Sequence, residues 1–129
     1  MVCADTSFLV ALERHEAGAL GKVRELAHRG ESVFITAVSV AEFYRGAYGS
    51  NDRERALRDA RELLGLFAVL DLDYGAGRLW GELSEAMRSR HIGDRDLFIA
   101  SIALANRQGL ITGNLKHYER VPGLDVEGW

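Results

Sequence analysis

The chain alternates short apolar runs with longer segments in which apolar residues recur every three or four positions. The first pattern is typical of buried strands, and the second is typical of amphipathic helices. Strands are predicted at 2–4, 32–36, 67–70, 110–112 and about 124–126. Helices are predicted at 8–12, 17–29, 39–47, about 52–64, 74–90 and 94–107, with Thr6 or Ser7 capping the first and Gly30 ending the second. This alternation favours an α/β domain with a parallel sheet.

The composition fits one compact domain. The 129 residues leave no room for a second domain of ordinary size, and 47% hydrophobic with 27% charged residues is a balance typical of globular proteins. No apolar stretch approaches the ~20 residues of a membrane span. The N-terminus lacks a basic start, and Asp5 interrupts its apolar run, so a secretory signal is not expected. The only cysteine, Cys3, excludes an internal disulfide and a cysteine-based zinc site. We therefore expect a cytoplasmic protein.

The segment IGDRDLFIASIALA carries the strongest local indication of chemistry. It has no charge from Leu97 to Ala105, and a helix that is apolar nearly all round is a buried helix. Asp94 and Asp96 stand at its head, where the helix dipole stabilises a carboxylate by only about 0.3–1 kcal/mol. A buried carboxylate without a partner costs several kcal/mol, so a surface position, an arginine or a metal ion must compensate. An N-cap role accounts equally well for Asp94, but less well for Asp96.

More oxygen-bearing side chains follow the other predicted strands. Asp5 comes directly after the first strand, Glu42 lies early in the helix after the second, and Thr112 and Asn114 end the fourth. The carboxyl ends of parallel strands meet at one sheet edge, where ligands bind. Each residue also has a plainer interpretation: a helix cap for Asp5, a side chain reaching water for Glu42, and turn residues for the other two. Together they form an all-oxygen set, which suits Mg²⁺ or Mn²⁺ and phosphodiester hydrolysis.

Four longer motifs resemble a known family across nearly the whole chain. They are ADTSFLVAL at 4–12, TAVSVAEFYRG at 36–46, IGDRDLFIASIALA at 92–105 and GLITGNLKHYERVPGLDVEGW at 109–129. In this order they resemble PIN-domain nucleases, and among them the VapC toxins of bacterial toxin–antitoxin pairs. The resemblance implies a single PIN domain over 1–129, folded as a three-layer α/β/α sandwich with a central, mostly parallel sheet.

The resemblance also implies a metal-dependent endoribonuclease. Asp5, Glu42 and Asp96 match the three acidic metal ligands of the family and would carry catalysis. One or two Mg²⁺ ions, for which Mn²⁺ substitutes, would lie between them. Such ions polarise the scissile phosphate, lower the pKa of the attacking water and neutralise charge on the leaving oxygen.

Four other residues match supporting positions of the family site. Asp94 matches an additional acid that only some members carry, and Asn114 stands where the family places a fourth acidic or amide residue. Both are expected among the metal ligands, with Asn114 in a weaker or water-mediated contact. Thr6 and Thr112 match hydroxyls that orient ligands or water.

The implied partners are RNA, a second copy of the chain and a VapB-type antitoxin whose tail reaches the acidic site. Apolar residues that would form the antitoxin groove, or that belong to ordinary core, are Val40, Phe43, Tyr44, Ala47, Leu57, Leu63 and Leu64. Cations that would bind RNA are Arg45, Arg53, Arg55, Arg58, Arg61 and Arg95. Acidic residues interleave with most of the arginines at 52–62, so a solvated helix face explains that stretch equally well.

Other functions remain open. A PIN-type DNA nuclease shares the chemistry, and a non-catalytic homologue that only binds an antitoxin would share the fold. A phosphatase with Asp5 as covalent nucleophile would need a second aspartate where this chain has Ser7. The net charge of −3 argues against a protein that coats nucleic acid, but not against an acidic site with a basic rim. The scattered histidines, expected to be structural or at the surface, are His15, His28, His91 and His117.

Overall fold

Five parallel strands form one sheet in the order β3-β2-β1-β4-β5 in the structure, a computed structural model that describes residues 1–129. The strands are β1 (Val2–Ala4), β2 (Val33–Thr36), β3 (Ala68–Leu70), β4 (Gly109–Ile111) and β5 (Val126–Glu127). The helices are α1 (Thr6–Glu13), α2 (Ala17–His28), α3 (Ala37–Tyr48), α4 (Arg53–Leu64), α5 (Tyr74–Ala86), α6 (Asp94–Ala105) and α7 (Leu115–Tyr118). The sheet, predicted as mostly parallel, is parallel throughout.

The central strands send side chains alternately to the two faces of the sheet. Val2 and Ala4 of β1 pack into a core with residues of α1, α2, α3 and α4, whereas Cys3 packs into a second core with residues of α5, α6 and α7. In β4, Ile111 joins the first core and Leu110 the second. Because successive residues of a strand face opposite ways, two helical layers can cover the sheet. The predicted three-layer α/β/α sandwich is confirmed.

Cys3 is fully buried in this arrangement. Burial, together with the negative charge of Asp5, raises the pKa of its thiol to about 12, so the thiol stays protonated and unreactive. None of the helices combines the length and the apolar character that crossing a bilayer demands.

The structure identifies the residues that cap two helices. Asp5, not Thr6 or Ser7, caps α1, because Asp5 is the last extended residue and its carboxylate accepts the Phe8 N–H. At α6 the position before the helix is taken by Gly93, whose φ of +97° is a conformation that favours glycine. Asp94 is therefore the first helical residue, and the N-cap interpretation of Asp94 is wrong.

The helix ends differ from the prediction. The helix predicted at 74–90 ends at Ala86, and the one predicted at 94–107 ends at Ala105. Gly109 begins β4, and Arg107 has a φ of +57° in the connection between α6 and that strand. The short α7 was not predicted, because four residues are too few to show a helical period.

An ion cluster ties α2 to the edge strand β5. Lys22 is only 5% exposed, and its Nζ donates to Glu127 Oε1 over 2.7 Å. Arg29 donates to both oxygens of Glu127, over 2.7 and 3.2 Å, and Glu25 lies beside both cations. These hydrogen bonds lower the pKa of Glu127 to about 2, with Arg29 contributing most.

Replacing Glu127 with glutamine should destabilise the protein at neutral pH. Glu127 is 38% exposed, so the expected loss lies between the ~1 kcal/mol of an exposed pair and the ~3–5 kcal/mol of a buried one. The folded-state pKa of about 2 is below the unfolded value of 4.5, so the stabilisation is present above pH 4.5. This stabilisation is lost as the pH falls through about 2.

Urea unfolding at several pH values would measure this effect. The wild type should lose stability between pH 4.5 and 2, and the Glu127→Gln variant should lose less over the same range. Glu82→Gln, which changes an exposed carboxylate without an ion pair, is the matched control. An identical pH profile for the two variants would show that the cluster does not act in this way.

Candidate metal centre

Asp5 is a buried carboxylate at the end of the central strand β1, and it is only 4% exposed. Its Oδ1 accepts hydrogen bonds from Ser7 Oγ over 2.6 Å and from the Phe8 backbone N–H over 3.1 Å. Its Oδ2 accepts one from Thr112 Oγ1 over 2.7 Å. The strand, the first turn of α1 and the end of β4 together hold the carboxylate in one orientation.

Burial raises the pKa of the Asp5 carboxyl above its usual value, and the negative charge of Asp96 raises it further. The hydrogen bonds from Ser7, Thr112 and Phe8 oppose the rise without cancelling it. Asp5 and Asp96 therefore face a common space in which a second negative charge is unfavourable.

Asp96 lies in the first turn of α6, and its Oδ2 is 2.8 Å from His117 Nε2 on α7. Behind it, Tyr118 is 1% exposed. Burial, followed by the charges of Asp96 and Asp5, raises the pKa of the Tyr118 phenol well above its usual value. The phenol stays protonated, so Tyr118 adds no charge to the acids that it faces.

Glu42 lies in the second turn of α3 and lines a pocket together with Asp96, which is called the cleft below. Its Oε1 accepts a hydrogen bond from Thr6 Oγ1 over 2.8 Å, and its Oε2 lies 3.5 Å from the Arg95 guanidinium. Thr6 is also 2.9 Å from Ser39 Oγ. Thr36 caps α3 by accepting the Ser39 N–H, which fixes the start of the helix that carries Glu42. Thr6, the first residue of α1, thus links α1 to α3.

Asp94 and Asn114 lie at the rim of this cleft. The Asp94 carboxylate is exposed and makes no hydrogen bond or ion pair, although the residue lines a pocket of about 380 Å³ with Glu42 and Asp96. The Asn114 side chain is also exposed and without a partner, and its backbone N–H donates to Thr112 Oγ1 over 3.0 Å. The structure therefore places Asp94 in a pocket with Glu42 and Asp96, and Asn114 next to the Thr112 hydroxyl that bonds to Asp5, but it brings neither side chain into contact with the acids.

As the side chains stand, no group of three or more aspartates, glutamates, histidines or cysteines is arranged so that it could hold a metal ion. All three principal acids already contact the chain's own polar groups. Ser7, Phe8 and Thr112 bond to Asp5, Thr6 and Arg95 contact Glu42, and His117 contacts Asp96. The donor set nevertheless fits a hard divalent cation. It consists mainly of carboxylate oxygens. Burial and the charge of Asp96 both raise the pKa of the Asp5 carboxyl, and a cation bound beside these acids would favour their charged forms.

Sequence patterns did not indicate three of the residues that shape the cleft. His117, expected to be structural or at the surface, contacts Asp96. Tyr118 had no assigned role, and Ser7 was expected only as a possible cap of α1. His117 and Tyr118 lie on α7, so only the tertiary structure brings them to α6. For Ser7 a signal existed, because a hydroxyl two residues after an aspartate can bond to it locally.

Of the arginines proposed as RNA-binding cations, only Arg95 lies beside the acids, and it is 68% exposed. Arg53 donates to the Tyr48 carbonyl oxygen, and Arg55 pairs with Asp59. The remaining three are exposed on α3 and α4: Arg45, Arg58 and Arg61.

A groove of about 410 Å³ runs from Glu42 along α1, α3 and α4. Thr6 and Glu42 line it where it reaches the cleft, and Phe43 and Ala47 supply part of its apolar wall. The other predicted groove residues do not line it: Val40, Tyr44, Leu57, Leu63 and Leu64. They pack into or against the first core instead, because the groove wall on α4 is made by the small residues Ala56 and Ala60.

Comparisons with known proteins identify the family of the chain. The model of the PIN domain family matches residues 2–124. The chain is 28% identical to Ribonuclease VapC2 of Rickettsia felis, over 97% of this chain and 95% of that protein. It is 31% identical to the tRNA(fMet)-specific endonuclease VapC of Salmonella typhimurium, over 74% of each chain. A crystal structure of Rickettsia felis VapBC2 bound to a promoter DNA fragment superposes with a TM-score of 0.91 at 26% identity, covering 100% of this chain and 99% of that one. The chain therefore belongs to the PIN-domain family and, within it, to the VapC ribonucleases.

Proposed function

We propose that this protein is a divalent-metal-dependent endoribonuclease and the toxin of a toxin–antitoxin pair. The observation that carries the proposal is the buried Asp5 carboxylate facing Asp96 at the carboxyl end of the sheet, with Glu42 on the same cleft. Acids collected in this way repel one another unless a cation binds. The proposal is supported by the ribonuclease activity named for VapC2 of Rickettsia felis and the tRNA specificity named for VapC of Salmonella typhimurium.

The proposed metal ligands are Asp5, Glu42 and Asp96, with Asp94 and Asn114 in outer or water-mediated contacts. The ion is Mg²⁺, and Mn²⁺ substitutes for it. When bound, the ion supplies Lewis-acid stabilisation of the phosphate and a more acidic attacking water. For Glu42 and Asp96 to serve as ligands, the contacts with Arg95 and His117 must loosen.

The chain's own groups orient the acids and the substrate. Thr112 and Thr6 donate hydrogen bonds that hold Asp5 and Glu42. Because Asp5 Oδ1 already accepts hydrogen bonds from Ser7 and Phe8, we assign the metal contact of Asp5 to the second lone pair of Oδ2. Arg95 is exposed at the rim, so we assign it to the RNA phosphate beside the scissile bond once it leaves Glu42. A guanidinium suits this role because its fork matches two phosphate oxygens.

The proposed partners are RNA, a VapB-type antitoxin and a second copy of the chain, in the cytoplasm. The groove beside Thr6 and Glu42 supports antitoxin binding, because a segment seated there would reach Glu42, one of the proposed metal ligands. The structure of the Rickettsia felis relative is a toxin–antitoxin complex, which supports the same partner. A DNA nuclease and a non-catalytic antitoxin-binding homologue are the alternatives.

The direct test is cleavage of a mixed cellular RNA pool by the purified protein, free of antitoxin. Cleavage should require Mg²⁺ or Mn²⁺, stop in EDTA and be absent in the Asp96→Asn variant. The Asp94→Asn variant should cleave more slowly than the wild type, because its carboxylate lies at the rim. A parallel digestion of single-stranded and duplex DNA tests the DNA nuclease alternative.

Each outcome separates the possible functions. Cleavage of RNA alone by the wild type supports the proposal, and the sizes of the products identify the RNA class. Cleavage of DNA alone would replace the proposed substrate. If the wild type binds Mn²⁺ but cleaves neither pool, the non-catalytic alternative gains support. Full activity in Asp96→Asn would contradict the proposed site.

Thr112→Val should lower the cleavage rate about 10–100-fold, the loss typical of removing a residue that orients a metal ligand. Thr112 is fully buried, and its hydroxyl both donates to Asp5 and accepts the Asn114 N–H. Thr112→Ser keeps the hydroxyl and is the matched control. Initial rates at several Mg²⁺ concentrations measure the effect, and an equal loss in both variants would mean that shape rather than the hydroxyl matters.

A further inference from the structure

Ser7 joins the Asp5 carboxylate to the turn after β4. Its hydroxyl donates a hydrogen bond to Asp5 Oδ1 over 2.6 Å and accepts one from the Gly113 backbone N–H over 3.0 Å. A serine hydroxyl has one proton and two lone pairs, so it makes both bonds at once. The direction in which Ser7 points therefore depends on where Gly113 lies.

Trp129 covers Gly113. A Cβ atom built on Gly113 would lie 2.8 Å from Cη2 of the indole and 3.3 Å from Cζ2, so the ring rests directly on the glycine backbone. A Cβ on Gly18 in α2 would similarly lie 3.2 Å from the indole Cδ1. Two glycines thus leave the space that the indole fills, and the ring contacts both α2 and the turn after β4.

The same indole packs on Phe8, with ring centroids 5.1 Å apart and the planes at 70°, which is the edge-to-face arrangement that aromatic pairs favour. Phe8 is fully buried, and its backbone N–H donates to Asp5 Oδ1 over 3.1 Å. Asp5 Oδ1 accepts two hydrogen bonds, one from Ser7 and one from Phe8. Trp129 contacts Phe8 itself and the glycine that orients Ser7.

We propose that Trp129 is a positioning residue for Asp5, acting through Gly113 and Ser7. The ring holds the Gly113 N–H against Ser7, and Ser7 then fixes Asp5 Oδ1. The consequence for metal binding rests on the proposed function, in which Asp5 is a ligand, whereas the hydrogen bonds themselves do not. A ring that only covered apolar surface would stabilise the fold and leave Asp5 unaffected.

The first test uses the metal-free protein and needs no activity. Hydrogen exchange of the Gly113 amide is measured by NMR in the wild type and in the variants Trp129→Ala, Trp129→Phe and Ser7→Ala. Exchange should be about tenfold faster in Trp129→Ala and Ser7→Ala, because the local bond is lost. Trp129→Phe keeps a ring on the glycine and should stay near the wild type. Leu72→Ala, which trims a side chain of similar exposure far from the turn, is the control.

Gly113→Ala provides a second route to the same result. Its methyl group would meet the indole at 2.8 Å and displace the ring without removing it, so the test holds even if Trp129→Ala does not fold. Faster exchange of the residue 113 amide is expected here too. A wild-type exchange rate in Trp129→Ala or in Gly113→Ala would overturn the proposal.

The second test is Mn²⁺ affinity, measured by electron paramagnetic resonance. Trp129→Ala and Ser7→Ala should each weaken binding about 10–100-fold, and the double variant should be no weaker than Ser7→Ala alone. If the double variant lost as much Mn²⁺ affinity as the two single variants combined, Trp129 would not act through Ser7. Unchanged Mn²⁺ affinity in Trp129→Ala would mean that Trp129 does not position Asp5. If the wild type binds no Mn²⁺, the proposed function fails, and the exchange result alone then decides whether Trp129 orders Gly113 and Ser7.

Discussion

Replacing Asp5 with asparagine is expected to abolish RNA cleavage while raising the thermal stability of the metal-free protein. Activity should fall by at least about a hundredfold, the upper end of the loss seen when a residue that merely supports a metal ligand is removed. Stability should rise because the variant removes a buried charge that faces Asp96. Active sites commonly trade stability for function in this way.

The asparagine keeps most of the local structure. Its side-chain oxygen can still accept the Phe8 N–H and cap α1, since asparagine is among the best N-cap residues. Its amide can donate to Thr112 Oγ1 in place of the bond that Asp5 Oδ2 accepts. The loss of activity should therefore not reflect unfolding.

Calorimetry in EDTA and RNA digestion with Mg²⁺ measure the two effects on the same preparation. Asp71→Asn, which neutralises an exposed acid without an ion pair, is the matched control and should change neither. A lower melting temperature in the Asp5→Asn variant would show that the buried charge of Asp5 does not destabilise the wild type. Wild-type cleavage by that variant would remove Asp5 from the proposed site.

Ile99→Ala should have the largest effect on stability. Ile99 is fully buried in α6, where Leu97 and Ala100 are also fully buried. Truncating a buried isoleucine costs about 2–5 kcal/mol, which is a large part of the ~5–15 kcal/mol that holds a domain folded. The melting temperature should fall by roughly 10 °C.

Cleavage should fall as well, because α6 carries Asp96 at its head and a loosened helix no longer holds that carboxylate. The control is Leu66→Ala, which removes a similar volume from a side chain that is 76% exposed. Thermal unfolding followed by circular dichroism gives the comparison. Equal melting temperatures for the two variants would mean that α6 is not the buried helix described above.

The apolar pattern predicted the architecture because burial and periodicity are local properties of the chain. All five strands, the buried helix α6 and the covered sheet were expected, and they are observed. Helix ends were predicted less well, because they depend on single backbone conformations such as those of Gly93 and Arg107. The order of the strands in the sheet is likewise absent from the pattern, since it arises from contacts between distant segments.

The candidate site was likewise predicted in part from the sequence. Asp5, Glu42 and Asp96 were recognisable because each follows a strand or begins a helix, and parallel strands bring such positions to one edge. Thr6 and Thr112 donate hydrogen bonds to Glu42 and Asp5, and their role in orienting metal ligands stays a prediction.

The order of residues along the chain was therefore enough to predict the fold class, the family and the acids that line the cleft. The contacts around these acids became known only from the packed layers: His117 lies beside Asp96, Arg95 beside Glu42, and Trp129 over the turn that holds Ser7. Burial and secondary structure follow from the order of apolar and polar residues, whereas contacts between segments that are separated in the sequence depend on how the layers pack.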